Sequence, residues 1–286
     1  MTAVGLACLS AFLFGGMSVG LRMGLSRHSD PDLATLCTVA AALVVGLLAA
    51  AFEAPWRGVH AGAAWPFVFA GLISPGAAQI FVTLAILTAG ASRSSVVLGA
   101  APLASVTIAV VFLDEPLSVA LIVGALLIVA GGLELARERD RPGHVRRIGL
   151  VFAFVATILF SARDNLLRWL SLDTPVPPAV AAAAALVGGS LLLAVLLVPR
   201  LRSRPTLRQA LPFLGVGVLF GLSYVSLFEA YYRGRVTVVS PLIATESLWG
   251  VFLSIVFIRR IELVGRRLVL GALLVVAGAV LIGVFR

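Results

Sequence analysis

Eight residues near the middle of the chain return close to its end. Gly124-Ala-Leu-Leu-Ile-Val-Ala-Gly131 reappears 147 residues later as Gly271-Ala-Leu-Leu-Val-Val-Ala-Gly278, with seven of eight positions identical. Other landmarks keep nearly the same offset: Leu13-Phe14 returns as Leu159-Phe160, Arg22 as Arg168, Pro66-Phe67 as Pro212-Phe213 and Glu115 as Glu262. The chain therefore reads as one unit of about 140 residues written twice, and any fold must accommodate two copies. In a strongly apolar chain a duplication also points to where a working site lies, between the copies.

The repeat is apolar throughout. Hydrophobic residues make up 60% of the chain and charged residues 12%, about half the charge of an ordinary soluble domain. The apolar residues fall in ten blocks: 3–24, 33–52, 64–88, 92–113, 117–136, 148–170, 178–198, 210–231, 236–257 and 264–284. Each is about as long as a helix needs to cross roughly 30 Å of hydrocarbon. Transmembrane β-strands are shorter and alternate in polarity, whereas Leu121 to Gly132 runs without a polar side chain. The fold class is thus an all-α integral membrane protein of ten transmembrane helices. The first block lacks a basic leader and has Gly16, Gly20 and Gly24 extending it, so it reads as a span and not a signal peptide.

Five spans per copy is an odd number, so the second copy enters the membrane from the opposite side, and the ten helices form two inverted five-helix repeats. The first repeat covers 3–136, a charged linker 137–147, and the second repeat 148–284. The net charge of +9 comes from arginine alone, because the chain has no lysine. Sixteen arginines fall in loops after odd-numbered spans and five on the other side, with Arg163 inside a span. By the positive-inside rule this places the linker in the cytoplasm and both termini outside. Nucleic acid is not an expected partner, since the arginines sit in short loops between spans.

Several chemistries are excluded. Without lysine there is neither a Walker A loop nor a lysine Schiff base. His28, His60 and His144 stand in separate loops without metal-ligand spacing. Cys8 and Cys37 lie inside spans and read as small buried hydrophobes. No cofactor, metal or catalytic residue is expected.

The order of motifs resembles the EamA family of the drug/metabolite transporter superfamily. The stretches that carry the resemblance are Pro102-Leu103 through Phe112-Leu-Asp-Glu115-Pro-Leu-Ser118 with Gly124 and Gly131, and the second copy around Glu262, Gly271 and Gly278. The resemblance implies a secondary transporter of the bacterial inner membrane, with export of amino-acid-like or amphipathic metabolites the common theme. It also implies both termini in the cytoplasm, against the arginine count. The second copy departs from the pattern, with Glu246 near the position of Pro102 and Arg259-Arg260 at the helix exit.

An intramembrane charge costs on the order of 2.5–3.5 kcal/mol even on insertion scales, so each one needs a reason. Glu246, midway through the ninth block, reads either as a proton-coupling or substrate-binding carboxylate, or as half of a permanent interhelical ion pair. Its expected partner is Arg163, in the sequence Ser161-Ala-Arg163-Asp164-Asn165-Leu-Leu-Arg168, with Asp164 pairing along the helix to Arg168. Tyr224 with Ser223 and Ser226, and Gln79, are candidate neutral hydrogen-bonders to a cavity or, alternatively, interhelical glue. The candidate substrate or ion site is therefore Glu246, Arg163, Asp164, Asn165, Tyr224 and Gln79. Glu229 with Arg233 and Arg235 reads as an interfacial salt bridge, and Asp114, Glu115 and Glu262 as end-of-span structure. Pro75 and Pro102 are expected to kink their helices. Expected partners are a small-molecule substrate, the lipid bilayer and, as a candidate coupling ion, protons, with the protein a monomer or homodimer. A passive facilitator, a membrane scaffold and an intramembrane enzyme are the rival readings.

Overall fold

The computed structural model describes residues 2–57, 61–104, 119–136, 146–201, 206–234, 236–259, 261 and 264–284. Among these residues the fold is all helix. The helices are α1 (Ala3–Arg27), α2 (Pro31–Arg57), α3 (Trp65–Gly71), α4 (Ala78–Ala89), α5 (Ala91–Leu98), α6 (Val119–Ala136), α7 (Ile148–Ser171), α8 (Pro178–Leu197), α9 (Leu207–Arg233), α10 (Val236–Ala244), α11 (Glu246–Phe257) and α12 (Arg266–Val284). Seven stretches are long and apolar enough to cross a membrane, with Ile122–Leu135 a shorter apolar helix. The second part of the fourth expected block, residues 105–113, and with it Asp114 and Glu115, lies outside the described residues. So do Glu262, Arg235, His60, His144 and most of the linker.

The outer surface is apolar, as a lipid-facing surface must be. Leu47, Leu48 and Phe52 on α2, Leu126 on α6, Phe154 on α7, Val195 on α8 and Phe257 on α11 all point outward. Cys8 is likewise exposed, not buried as expected, and both cysteines are free.

Small residues set the helix contacts inside. The repeated octapeptides pack on each other: a Cβ added at Gly131 would stand 2.7 Å from the Gly271 carbonyl oxygen, and one at Gly124 would stand 2.8 Å from that of Gly278. Earlier in one helix therefore meets later in the other, so α6 and α12 run antiparallel with glycines at both crossings. The same device seats α1 on α9, where Gly24 faces Phe213, and α3 with the residues that follow it, 72–77, on the alanine-rich α8, where Gly189 faces Pro75. A large core cluster joins α1, α2, α4, α7, α8 and α9, and a smaller one joins α5, α6, α11 and α12.

Helix ends are satisfied where the sequence supplies a cap. Thr206 and Gln209 close a capping box on α9. The Asp30 carboxylate accepts from the N–H groups of Asp32 and Leu33 at the start of α2. For α8, which begins after Pro177, the acceptor comes from another helix: the Ala179 N–H donates to Glu53 at 2.8 Å.

Candidate functional site

Three apolar stretches lose their regular helical winding along their length. Between α3 and α4 the chain makes a wide π turn over Leu72–Ala77, with Ser74 extended (φ −148°, ψ 124°) just before Pro75. Proline offers no N–H and crowds the preceding turn. The Ala78 N–H, which a regular helix would direct to Ser74, goes to the Ile73 and Pro75 carbonyls. The Ser74 carbonyl is left over, and the Tyr224 hydroxyl donates to it at 2.5 Å. The expected kink at Pro75 is therefore present, and it gives Tyr224 its partner.

The other two interruptions are a pair. α5 ends at Gly99 (φ −61°, ψ −11°), and α10 ends at Thr245 (φ −63°, ψ −11°). At both points i→i+3 bonds appear: Ala100 N–H to Val97 at 3.0 Å, and Thr245 N–H to Leu242 at 3.2 Å. Such tight turns inside a helix are common at hinges. The helix resumes at residues 101–104 after the first turn and at Glu246 after the second. Glu246 thus opens α11, where the helix N-terminus favours negative charge. Hydroxyls of α7 cover carbonyls of the first interruption, Thr157 donating to Val97 at 3.2 Å and Ser161 to Ala101 at 2.9 Å.

A cavity of about 30 Å³ lies between these interruptions, room for roughly two waters. Its wall takes Ser10, Phe14 and Pro102 from the first half of the chain. From the second half come Phe160, Arg163, Asp164, Phe220, Ser223, Tyr224, Ser240 and Glu246.

Four of the six candidate residues meet at this cavity: Glu246, Arg163, Asp164 and Tyr224. The expected pairing is not the one found. Arg163 Nε donates to the carboxylate of its neighbour Asp164 at 2.8 Å, with both side chains buried. Arg163 Nη1 reaches the Ser74 hydroxyl at 3.4 Å. The guanidinium lies 5.1 Å from the Phe160 ring centre and 5.4 Å from that of Tyr224, a position that favours a cation. The Tyr231 side chain is buried nearby, and its hydroxyl makes no hydrogen bond among the described residues. Arg168, the expected partner of Asp164, instead donates to the Tyr231 carbonyl at 3.2 Å. Adjacent helical positions do not ordinarily face each other, but the long arginine stem bends back far enough to bridge them.

Glu246 is buried, and among the described residues its carboxyl has no hydrogen bond or ion pair. Arg163 and Asp164 line the same cavity without bonding to that carboxyl. The other two candidates stand apart. Asn165 spends its amide on the Ser161 carbonyl at 2.8 Å within α7. Gln79, at the start of α4 just past the break, is fully buried; among the described residues neither of its amide atoms is hydrogen-bonded, and it does not line the cavity.

Sequence reasoning missed Ser74, Ser10 and the aromatic wall. The signal for Ser74 was available in Ser74-Pro75-Gly76, since the residue before a proline leaves the helical region. Ser10 and Ser223 exchange hydrogen bonds with each other's carbonyls at 3.0 and 2.9 Å, so Ser223 serves as interhelical glue as well as cavity wall. Phe14 meets Phe160 and Phe220 edge-on, at 5.8 and 6.2 Å between ring centres. Away from the cavity, Glu229 and Arg233 form the expected salt bridge at 2.5 Å.

Comparison with known proteins bears on the family and the fold. The sequence pattern of the EamA-like transporter family matches residues 1–134 and 147–284. A solved structure described as "Crystal structure of protein" superposes with a TM-score of 0.68 at 19% identity, over 98% of this chain and 95% of that one. At that identity the likeness is of fold. No curated protein matches the chain in sequence.

Proposed function

We propose that this chain, which belongs to the EamA-like transporter family, is a secondary transporter that carries a small metabolite through the central cavity by alternating access. Membership makes it a multi-pass membrane protein of the drug/metabolite transporter type; the mechanism, substrate and coupling are our reading. The observation that carries the reading is Glu246: a buried carboxyl without a partner among the described residues, in a small cavity whose wall draws on both halves of the chain. A carboxylate kept dry and unpaired is costly, and a site that exchanges a proton for a substrate needs such a group.

The supporting architecture is two inverted five-helix repeats, 3–136 and 148–284, joined by the linker at 137–147. The antiparallel glycine contact of α6 with α12 suits that arrangement. The matched turns at Gly99 and Thr245 are the hinges we assign to opening on either side. Export of an amino-acid-like or amphipathic compound across a bacterial inner membrane, driven by protons, is the activity proposed.

Purified protein reconstituted in vesicles with a panel of metabolites tests this. A proton gradient is expected to drive concentrative movement of at least one compound. Movement that continues down its own gradient, unchanged when the proton gradient is collapsed, would make the protein a passive facilitator. No flux of any compound would remove the transporter reading.

A further inference from the structure

Away from the central cavity, two hollows adjoin where α1 turns into α2 and α8 ends. The first, of about 650 Å³, is lined by Arg27, His28, Asp30, Asp32, Arg200 and Gln209 among others. The second, of about 360 Å³, is a groove between α2, α8 and α9 whose wall includes Leu36, Ala40, Leu43, Leu193, Ala194 and Leu214. Leu33 and Leu201 line both, so the charged pocket leads into the apolar groove. Along α2 the groove runs from Leu33 to Leu43, about 15 Å at the α-helical rise. That is the depth of one leaflet, half of the roughly 30 Å hydrocarbon core.

We propose that these two hollows together bind one aminophospholipid of the bilayer, with its phosphate and primary ammonium in the pocket and an acyl chain in the groove. The charges on the wall select the headgroup. Among the described residues Arg27 and Arg200 make no ion pair with Asp30 or Asp32, so the pocket presents separate charges of both signs. Two guanidinium groups suit a phosphate, which accepts forked, charge-assisted hydrogen bonds. The Gln209 carbonyl oxygen is occupied by Thr206, which leaves its amide N–H groups as further donors. The Asp30 carboxylate is occupied by the first N–H groups of α2, and Asp32 is the carboxylate left for an ammonium. With His28 neutral the four charges on the wall sum to zero, as do the phosphate and ammonium of this headgroup. A lipid with a phosphate and no ammonium sets an anion beside Asp32 without a counter-charge. A quaternary ammonium has no N–H to donate to it.

The groove argues for a lipid and against a soluble phosphoester. Its floor is made where Ala40 and Ala194, both exposed, stand between larger apolar side chains of α2 and α8. A free phosphoester leaves that surface unused. Lipid tails already lie in hydrocarbon, so the groove contributes fit, and the headgroup contacts supply the preference among lipids. α2 belongs to the first half of the chain and α8 and α9 to the second, so the lipid touches both halves. No residue lines both this site and the central cavity, and the proposal is independent of what the cavity carries.

Three lipids with the same dioleoyl chains test the site: phosphatidylethanolamine, phosphatidylcholine and phosphatidylglycerol. The purified full-length protein is offered an equimolar mixture in detergent, and the lipid it retains is identified by native mass spectrometry. One phosphatidylethanolamine per chain is expected, held at least about fivefold more tightly than either competitor. Excess phosphoethanolamine, which has the headgroup without the chains, is expected not to displace it. Arg27→Gln combined with Arg200→Gln is expected to weaken retention about fivefold or more. Asp32→Asn is expected to keep a bound lipid but to lose the preference for phosphatidylethanolamine over phosphatidylglycerol. Ala40→Trp fills the groove, leaves the charged residues in place and is expected to abolish retention. Each variant is checked for folding by gel filtration, and where one does not fold the order of the three lipids on wild type decides. Equal retention of the three, or tightest retention of phosphatidylglycerol or phosphatidylcholine, overturns the proposal. So does retention unchanged by the arginine pair or by Ala40→Trp, or an unchanged preference in Asp32→Asn. Displacement by phosphoethanolamine overturns the lipid as occupant in favour of a soluble phosphoester.

Discussion

Replacing Asp164 by asparagine takes the counter-charge from Arg163 while keeping the shape of the side chain. Both side chains are buried, at 7% and 8% exposure. Removing one partner of a buried ion pair costs about 3–5 kcal/mol, because the other charge is left uncompensated. Arg163 retains two ring faces and the Ser74 hydroxyl, and each cation–π contact is worth ~0.5–2 kcal/mol. The expected loss for Asp164→Asn is therefore about 2–3 kcal/mol, just below that range. Replacing both members by apolar residues, Arg163→Met with Asp164→Leu, removes the need for compensation and is expected to cost within about 1 kcal/mol of wild type. Unfolding of the purified protein in mixed micelles, followed by tryptophan fluorescence as the denaturing detergent fraction rises, gives the four corners of a double-mutant cycle with Arg163→Met and Asp164→Leu as its single changes. A coupling of at least about 2 kcal/mol is expected. Single changes within about 0.5 kcal/mol of wild type that simply add would refute the pairing.

Two neighbouring glycines offer a sharper contrast. A Cβ at Gly131 meets the Gly271 carbonyl oxygen, whereas one at Gly132 meets nothing within 4 Å. Gly131→Ala is expected to destabilise by about 1–3 kcal/mol through overpacking, and Gly132→Ala to be neutral or to stabilise by up to about 1 kcal/mol through helix propensity; the same micelle unfolding measures both. Tyr224→Phe strips the buried Ser74 carbonyl of its donor and should cost about 1–3 kcal/mol, with thermal unfolding as the check. Orientation is read from a C-terminal reporter active only outside the cytoplasm. Arg22 and Arg93 prove to be buried in the protein, so the arginine bias falls from sixteen against five to fourteen against five, and the reporter is still expected to be active.

The scaffold was legible because packing helices repeat what they need. The glycines of the duplicated octapeptide stand out in the sequence, and they are the residues at which α6 and α12 touch. Pro75 announced its break in the same way, through a local backbone constraint. The pairing of charges was not legible. Helix spacing favoured Asp164 with Arg168, yet Arg168 lies one turn closer to the helix end and reaches the Tyr231 carbonyl instead. Arg163, expected to cross to Glu246, is satisfied by its own neighbour and by a hydroxyl exposed through the break at Ser74. That contact depends on the meeting of α7 with the turn after α3, more than 80 residues apart in sequence, and no local rule carries it. Gly99 and Thr245 escaped notice because different residue types make the same tight turn.

The central claim is that Glu246 couples a proton gradient to movement through the cavity. It is tested most directly by substrate uptake into vesicles across an imposed pH gradient, wild type against Glu246→Gln, at matched protein content and fold. The account predicts concentrative uptake that follows the gradient in wild type and is lost in Glu246→Gln. Full, gradient-dependent uptake by Glu246→Gln would contradict it.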